Sequence, residues 1–158
     1  MTWHAPSIRE TKSLLDRSRT VAIVGASADP SRSSYFVATY LLSSSTDYEV
    51  FLVNPKGGEI LGRPVYRSLA DLPVVPDIVD VFRRAEDLGA VADEVLPLGA
   101  PVLWFQLGLR DDAVAERAEA AGMRVVQDRC LKIEHARWAG GLHLAGFDTG
   151  VVSSRRTR

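Results

Sequence analysis

Residues 20–42 read TVAIVGASADPSRSSYFVATYLL, and the order of patterns in this stretch decides the fold. Val21, Ala22, Ile23 and Val24 form a short, continuous apolar run rich in β-branched residues, as in a strand covered on both faces in a parallel sheet. Gly25 ends the strand and, having no Cβ, lets backbone N–H groups approach a ligand closely. Tyr35, Ala38, Leu41 and Leu42 then recur at the spacing of a buried helix stripe, with Ser33 or Ser34 available as the cap. Such a helix aims its unpaired amides and the positive end of its dipole at an anion, and Arg32 adds a charged donor to the loop. An ordinary strand-to-helix turn with a solvated arginine fits the stretch equally well, so the rest of the chain has to decide.

Before this stretch, Ser7 and Glu10 have capping-box spacing and predict a helix over Ile8–Arg17, with Ile8 and Leu15 facing inward. After it, Glu49–Val53 reads as a strand running into the turn cluster Asn54-Pro55-Lys56-Gly57-Gly58. Ile60–Tyr66, with Gly62 and Pro64, reads as an irregular connection, and Ser68–Leu72 as one helical turn. Ile78, Val79, Val81 and Phe82 carry the third strand, which ends at Arg83-Arg84. Leu88, Val91, Ala92 and Val95 follow the i, i+3, i+4, i+7 pattern of an amphipathic helix. Pro101–Phe105 is a fourth strand leading into Gln106-Leu107-Gly108. Asp111 or Asp112 caps a helix with the small face Val114, Ala118 and Ala121, which ends at Gly122. The fifth strand is Arg124–Val126, and Asp128 is placed to cap a last helix over Arg129–Trp138.

Strands alternating with helices imply a doubly wound α/β domain: a mostly parallel five-stranded sheet with helices on both faces, a Rossmann-like three-layer sandwich. A single domain over residues 1–140 is expected, including the helix at 7–17, followed by a tail over 141–158 into which Leu142, Leu144 and Phe147 fall.

A formal net charge of -1 over 158 residues gives no global pull toward nucleic acid or a membrane surface, so an anion site must come from locally placed basic residues. One cysteine excludes an internal disulfide framework and, with no apolar leader segment, points to a cytoplasmic protein. His4, His135, His143 and Cys130 lack metal-ligand spacing, and no metal is expected.

In such sheets a ligand lies outside the carboxyl ends of the strands, where the strand order reverses. The unusual residues sit at those ends: Gly25-Ala26-Ser27, Asn54-Pro55-Lys56, Phe82-Arg83-Arg84 and Gln106-Leu107-Gly108. The loops after the strands at 21–24 and 101–105 are expected to flank the crevice. Basic residues converging on one rim suit a polyphosphorylated ligand. The first loop lacks the second and third glycines of G-x-G-x-x-G, and Asn54 stands where NAD sites place an acid. An NADP-binding domain with a degraded fingerprint remains an alternative.

From Thr20 to Trp138, about three quarters of the chain, the sequence resembles the small bacterial coenzyme A-binding proteins, whose domain is similar to the N-terminal domain of the succinyl-coenzyme A synthetase alpha subunit. The resemblance rests on V-G-A-S (Val24–Ser27), R-x-S-Y (Arg32–Tyr35), V-N-P-K (Val53–Lys56) and L-G-R-P-V-Y (Leu61–Tyr66). It continues through D-I-V-D-V-F-R-R (Asp77–Arg84), W-F-Q-L-G (Trp104–Gly108) and D-R-C-L-K-I-E-H (Asp128–His135). It implies coenzyme A or an acyl-coenzyme A lying across the strand ends. On that reading, amides around Gly25, Ala26 and Ser27 hold the pyrophosphate with Arg32 and Ser33. Asn54, Pro55 and Lys56 line the ribose and its phosphate, Phe82 with Arg83 or Arg84 borders the adenosine, and Gln106, Leu107 and Gly108 line the pantetheine path.

The resemblance implies binding rather than catalysis, since the synthetase's phosphohistidine lies in a later domain. The expectation is therefore a non-catalytic module for a small nucleotide ligand, its small-residue helix faces also suiting a homodimer or another protein partner. The alternative is a small enzyme acting on an acyl-coenzyme A or a nucleotide. For that, Cys130 and His135 are five positions apart and share a helix face poorly. Cys130 reads as a small buried apolar residue, with a reversible mixed disulfide to the coenzyme A thiol as the second possibility.

Overall fold

Apolar strands that must be covered on both faces leave one arrangement open to this chain, a sheet with helices above and below. The computed structural model describes residues 2–43 and 46–138. In chain order its elements are α1 (Ile8–Arg17), β1 (Thr20–Val24), α2 (Ser33–Leu41), β2 (Glu49–Val53), β3 (Glu59–Ile60), β4 (Arg63–Tyr66), β5 (Ile78–Val81), α3 (Leu88–Val95), β6 (Val102–Phe105), α4 (Asp112–Ala120), β7 (Arg124–Val126) and α5 (Leu131–Trp138).

The strands form one seven-stranded sheet in the order β3-β4-β2-β1-β5-β6-β7. All neighbours run parallel except β3 and β4. Seven strands replace the expected five because Ile60–Tyr66 is a hairpin rather than an irregular link. Leu61 (φ 54) and Gly62 (φ 73) both take left-handed backbone, the geometry of a tight two-residue hairpin turn. Pro64 is tolerated because β4 is a short strand near the sheet's edge. Val65 and Tyr66 then extend the parallel ladder opposite Leu52 and Val53.

Strand residues alternate between two cores. On one face, Ala22, Val24, Val79, Val81, Leu103, Phe105 and Val125 pack beneath Leu88, Val91, Ala92 and Val95 of α3 and Ala115 and Ala118 of α4. On the other, Val21, Ile23, Leu52, Ile78, Trp104 and Val126 meet α1, α2 and α5 through Leu14, Leu15, Val37, Ala38, Leu41 and Leu131.

Ser7 caps α1 as expected, its Oγ accepting from the Glu10 N–H at 3.0 Å. Ile8, expected to face inward, is exposed; Thr11, Leu14 and Leu15 are the buried residues. The segment before α1 is strapped to the sheet's far edge. The Trp3 indole N–H donates to the carbonyl of Val125 at 3.1 Å, and the Arg124 guanidinium pairs with Glu10 of α1. The expected tail at 141–158 and the domain boundary before it lie outside the described residues. Among the described residues no helix is long and apolar enough to cross a membrane.

Within the strands of the described residues, one buried polar side chain breaks the apolar pattern. Asp80, in the middle of β5, is fully buried, and neither carboxylate oxygen has a hydrogen-bond partner. Its ladder neighbours are Ile23 and Trp104. Burial therefore pushes the Asp80 carboxyl well above the usual carboxylate range. The folded state keeps that proton when the unfolded chain has released it. Asp80's contribution is thus most favourable at low pH and is lost as pH rises from the ordinary carboxylate range through the elevated folded value. Urea denaturation of the wild type and Asp80→Asn at pH 5 and pH 8 is expected to find the variant gaining on the wild type at the higher pH; a gap independent of pH would contradict this account.

Candidate ligand-binding crevice

The strand order reverses between β1 and β5. The crevice is therefore flanked by the loops after Val24 and Val81: the first is the one the sequence led one to expect, and the second takes the place of the loop after 101–105. The cause is the segment from β4 to β5, which crosses the α3 face with Leu69 and Leu72 packed on that core and places β5 directly beside β1. α2 then leaves for one face and α3 for the other, and the gap between them opens at the carboxyl edge.

Gly25 lies at the base of this gap. Its φ is 91°, and a Cβ there would stand 2.7 Å from the Phe82 carbonyl oxygen and 3.1 Å from Cδ of Arg83. The N–H groups of Gly25 and Ala26 both donate to the carbonyl of Val53, at 3.0 and 3.1 Å. The Ser27 N–H donates to Oγ of the buried Ser34 at 3.1 Å. These three amides therefore fix the loop. The N–H groups of Ala28, Ser33 and Ser34 have no such partner among the described residues. Neither Ser33 nor Ser34 caps α2: Arg32 holds the cap position without a side-chain bond, so the helix's first turn keeps unpaired donors.

The two arginines after β5 separate clearly. Arg83 lies against Gly25, with its Nη2 3.6 Å from Asp87, whereas the Arg84 side chain is 74% exposed and pairs with Asp87 at 3.2 Å and Glu86 at 3.6 Å. The Arg84 guanidinium in particular holds the Asp87 carboxyl below its ordinary value. Arg32 is exposed, and its Nε lies 3.9 Å from Asp29. Such exposed pairs contribute little and exchange readily for a stronger anion.

Asn54 ties the first two loops together. Its Nδ2 donates to the carbonyl of Ala26 at 2.6 Å, and its Oδ1 accepts from the Lys56 N–H at 2.8 Å. It therefore positions the rim, leaving the side chain of Lys56 exposed. Phe82 packs half-buried against the α1, α2 and α5 core.

On the other side of β5, Gln106 is buried, and its Oε1 accepts from the Leu131 N–H at 3.0 Å, so it holds the start of α5. Leu107 is exposed, and the Gly108 N–H donates to Asp128 at 2.7 Å. Asp128 itself has φ 57 and does not cap α5, which begins at Leu131. Ser34 and Asp128 are thus positioning residues that the sequence reading assigned to helix caps; a cap is the commoner use of serine and aspartate at a helix start. Cys130 is half-buried, and His135 instead bonds through Nδ1 to the Tyr40 hydroxyl at 2.7 Å. Burial lowers the His135 pKa and raises that of Tyr40 to about 12. Among the described residues no group of three or more His, Cys, Asp or Glu gathers as metal ligands.

Residues 19–136 match the model of a family described as the CoA binding domain. The chain belongs to the CoA-binding domain family. An uncharacterized Bacillus subtilis protein, YneT, is 40% identical over 131 residues, 83% of this chain and 96% of YneT. The alpha subunit of a Pyrococcus furiosus ADP-forming acetate–CoA ligase is 29% identical over 122 residues, covering 68% of this chain but 26% of that subunit. A solved Thermus thermophilus structure, cell-free ID.343, aligns with TM-score 0.77 at 38% identity over 84% of this chain and 98% of its own.

For this CoA-binding domain the contact at Gly25 yields a direct test. Gly25→Ala is expected to lower stability in urea denaturation by about 1–3 kcal/mol, the usual cost of a side chain forced into a sparsely allowed conformation. An alanine variant as stable as the wild type would contradict the close approach to Phe82.

Proposed function

We propose that this domain binds coenzyme A or an acyl-coenzyme A at the carboxyl ends of β1, β2 and β5, as a non-catalytic module. The observation that carries this is the turn at Gly25: a backbone position with no room for a Cβ, Arg83 laid beside it, and N–H groups at Ala28, Ser33 and Ser34 that have no partner among the described residues. Those donors suit a pyrophosphate, which accepts several hydrogen bonds at once and gains from the α2 dipole. Coenzyme A supplies that diphosphate together with the ribose phosphate and the pantetheine arm, and family membership favours it over NADP.

The residues then divide by task. Gly25, Ala26 and Ser27 shape the backbone on which the diphosphate rests, and Arg32 with Ser33 binds it. Asn54 and Pro55 set the turn that carries Lys56 to the ribose side. Phe82 and Arg83 border the adenosine, and Leu107 and Gly108 line the pantetheine path, held in place by Gln106 and Asp128. The binding-module reading is supported by the engagement of His135 Nδ1 with the Tyr40 hydroxyl and of Asp128 with the Gly108 N–H, which commits both candidate bases to other partners.

Calorimetric titration with coenzyme A tests these assignments. Arg32→Ala and Lys56→Ala are each expected to weaken binding about 10- to 100-fold, the range of a charge-assisted hydrogen bond. Arg83→Ala is expected to weaken it similarly, and Arg84→Ala by less than about threefold. Equal losses at Arg83 and Arg84, or none at Arg32 and Lys56, would refute the placement.

A further inference from the structure

The hairpin that adds two strands to the sheet also brings a cation to the rim. β4 runs parallel to β2 with Tyr66 opposite Val53, so Arg67 leaves the sheet level with Asn54. Its guanidinium is held against the turn that follows β2. Nη1 donates to the carbonyl of Pro55 at 3.0 Å, and Cζ and Nε stand 3.2 Å from where a Cβ on Gly57 would be. Gly57, at φ 66, provides the shelf on which the guanidinium lies. The adjoining residue of that turn is Lys56.

Charge sets this pair apart. Arg32, Arg83 and Arg84 each have a carboxylate within 4.0 Å, but among the described residues neither Lys56 nor Arg67 does. Two positive charges beside one turn therefore lack a counterion, in a chain whose formal net charge is -1. A dianionic phosphate monoester fits them. The planar fork of Arg67 donates to two phosphate oxygens, and Lys56 adds a point charge.

We propose that Arg67, with Lys56, binds the 3′-phosphate on the ribose and is the residue by which the site separates coenzyme A from its dephosphorylated form. This rests on the coenzyme A reading and deepens it. Arg63, also exposed, opens β4 about 13 Å away along the strand and serves as a control for general charge loss.

The test is calorimetric titration of the wild type, Arg67→Ala, Arg67→Lys and Arg63→Ala with coenzyme A, dephospho-coenzyme A and adenosine 3′,5′-bisphosphate. Arg67→Ala is expected to lose about tenfold or more in affinity for the two 3′-phosphorylated ligands and less than about twofold for dephospho-coenzyme A. Arg67→Lys should fall between, and Arg63→Ala should match the wild type. Equal losses for coenzyme A and dephospho-coenzyme A, or no loss at all, would overturn the proposal. If the wild type binds neither coenzyme A nor dephospho-coenzyme A, the coenzyme A reading fails on its own, and the bisphosphate decides Arg67 separately. Bisphosphate binding to the wild type that Arg67→Ala abolishes upholds the phosphate site, and absence of bisphosphate binding to the wild type overturns it.

Discussion

The close approach of β1's end to the Phe82 carbonyl is the constraint on which the crevice depends. A strand in a parallel sheet has to hand its chain to a helix, and at the switch point two adjacent strands hand theirs to opposite faces. The Phe82 N–H donates to the carbonyl of Val24 at 2.8 Å, so the ladder runs to the last residue and the two exits are pressed together. Only a residue without Cβ fits at position 25. The loop that leaves Gly25 is then pinned from both sides, by Val53 and by Ser34, while the N–H groups of Ala28, Ser33 and Ser34 have no protein partner among the described residues. Rigidity and unmet donors come from the same few bonds.

Electrostatics follow from that frame. The chain is close to neutral overall, yet cations collect along the carboxyl edge, in loops from β1, β2, β4 and β5. Several are paired with carboxylates, and the partly buried Asp87 serves both Arg83 and Arg84. Exposed pairs of this kind are weak and screened by salt, so a phosphate can displace a carboxylate at small cost. Lys56 and Arg67 need no such displacement. The rim thus grades from compensated charge near the switch point to uncompensated charge on the β2 and β4 side.

Much of the fold was legible because period and turn chemistry agreed. β2 and β7 fall on Glu49–Val53 and Arg124–Val126 as read from the sequence, and the buried stripe of α3 is the predicted one. The hairpin was hidden because its turn is Leu61-Gly62 rather than an Asn-Gly or Asp-Gly pair, and because Pro64 argues against a strand. Missing β4 meant missing Arg67, whose place follows from strand pairing and not from spacing. The strand ends were legible as the carriers of the site, but the division of labour among their residues was not. Whether Asn54, Ser34 or Asp128 faces a ligand or holds another loop depends on contacts between segments far apart in sequence. Arg83 leans on Gly25 and Arg84 does not, a difference that no local pattern encodes.

The central claim is that the cradle at Gly25 receives the diphosphate of coenzyme A. Calorimetric titration of the purified protein with coenzyme A, NADP and NAD, under reducing conditions and at two salt concentrations, tests it most directly. The account predicts that coenzyme A binds most tightly and that its affinity falls as salt rises, as phosphate contacts require. Preference for NADP or NAD, or no binding of coenzyme A at low salt, would contradict it.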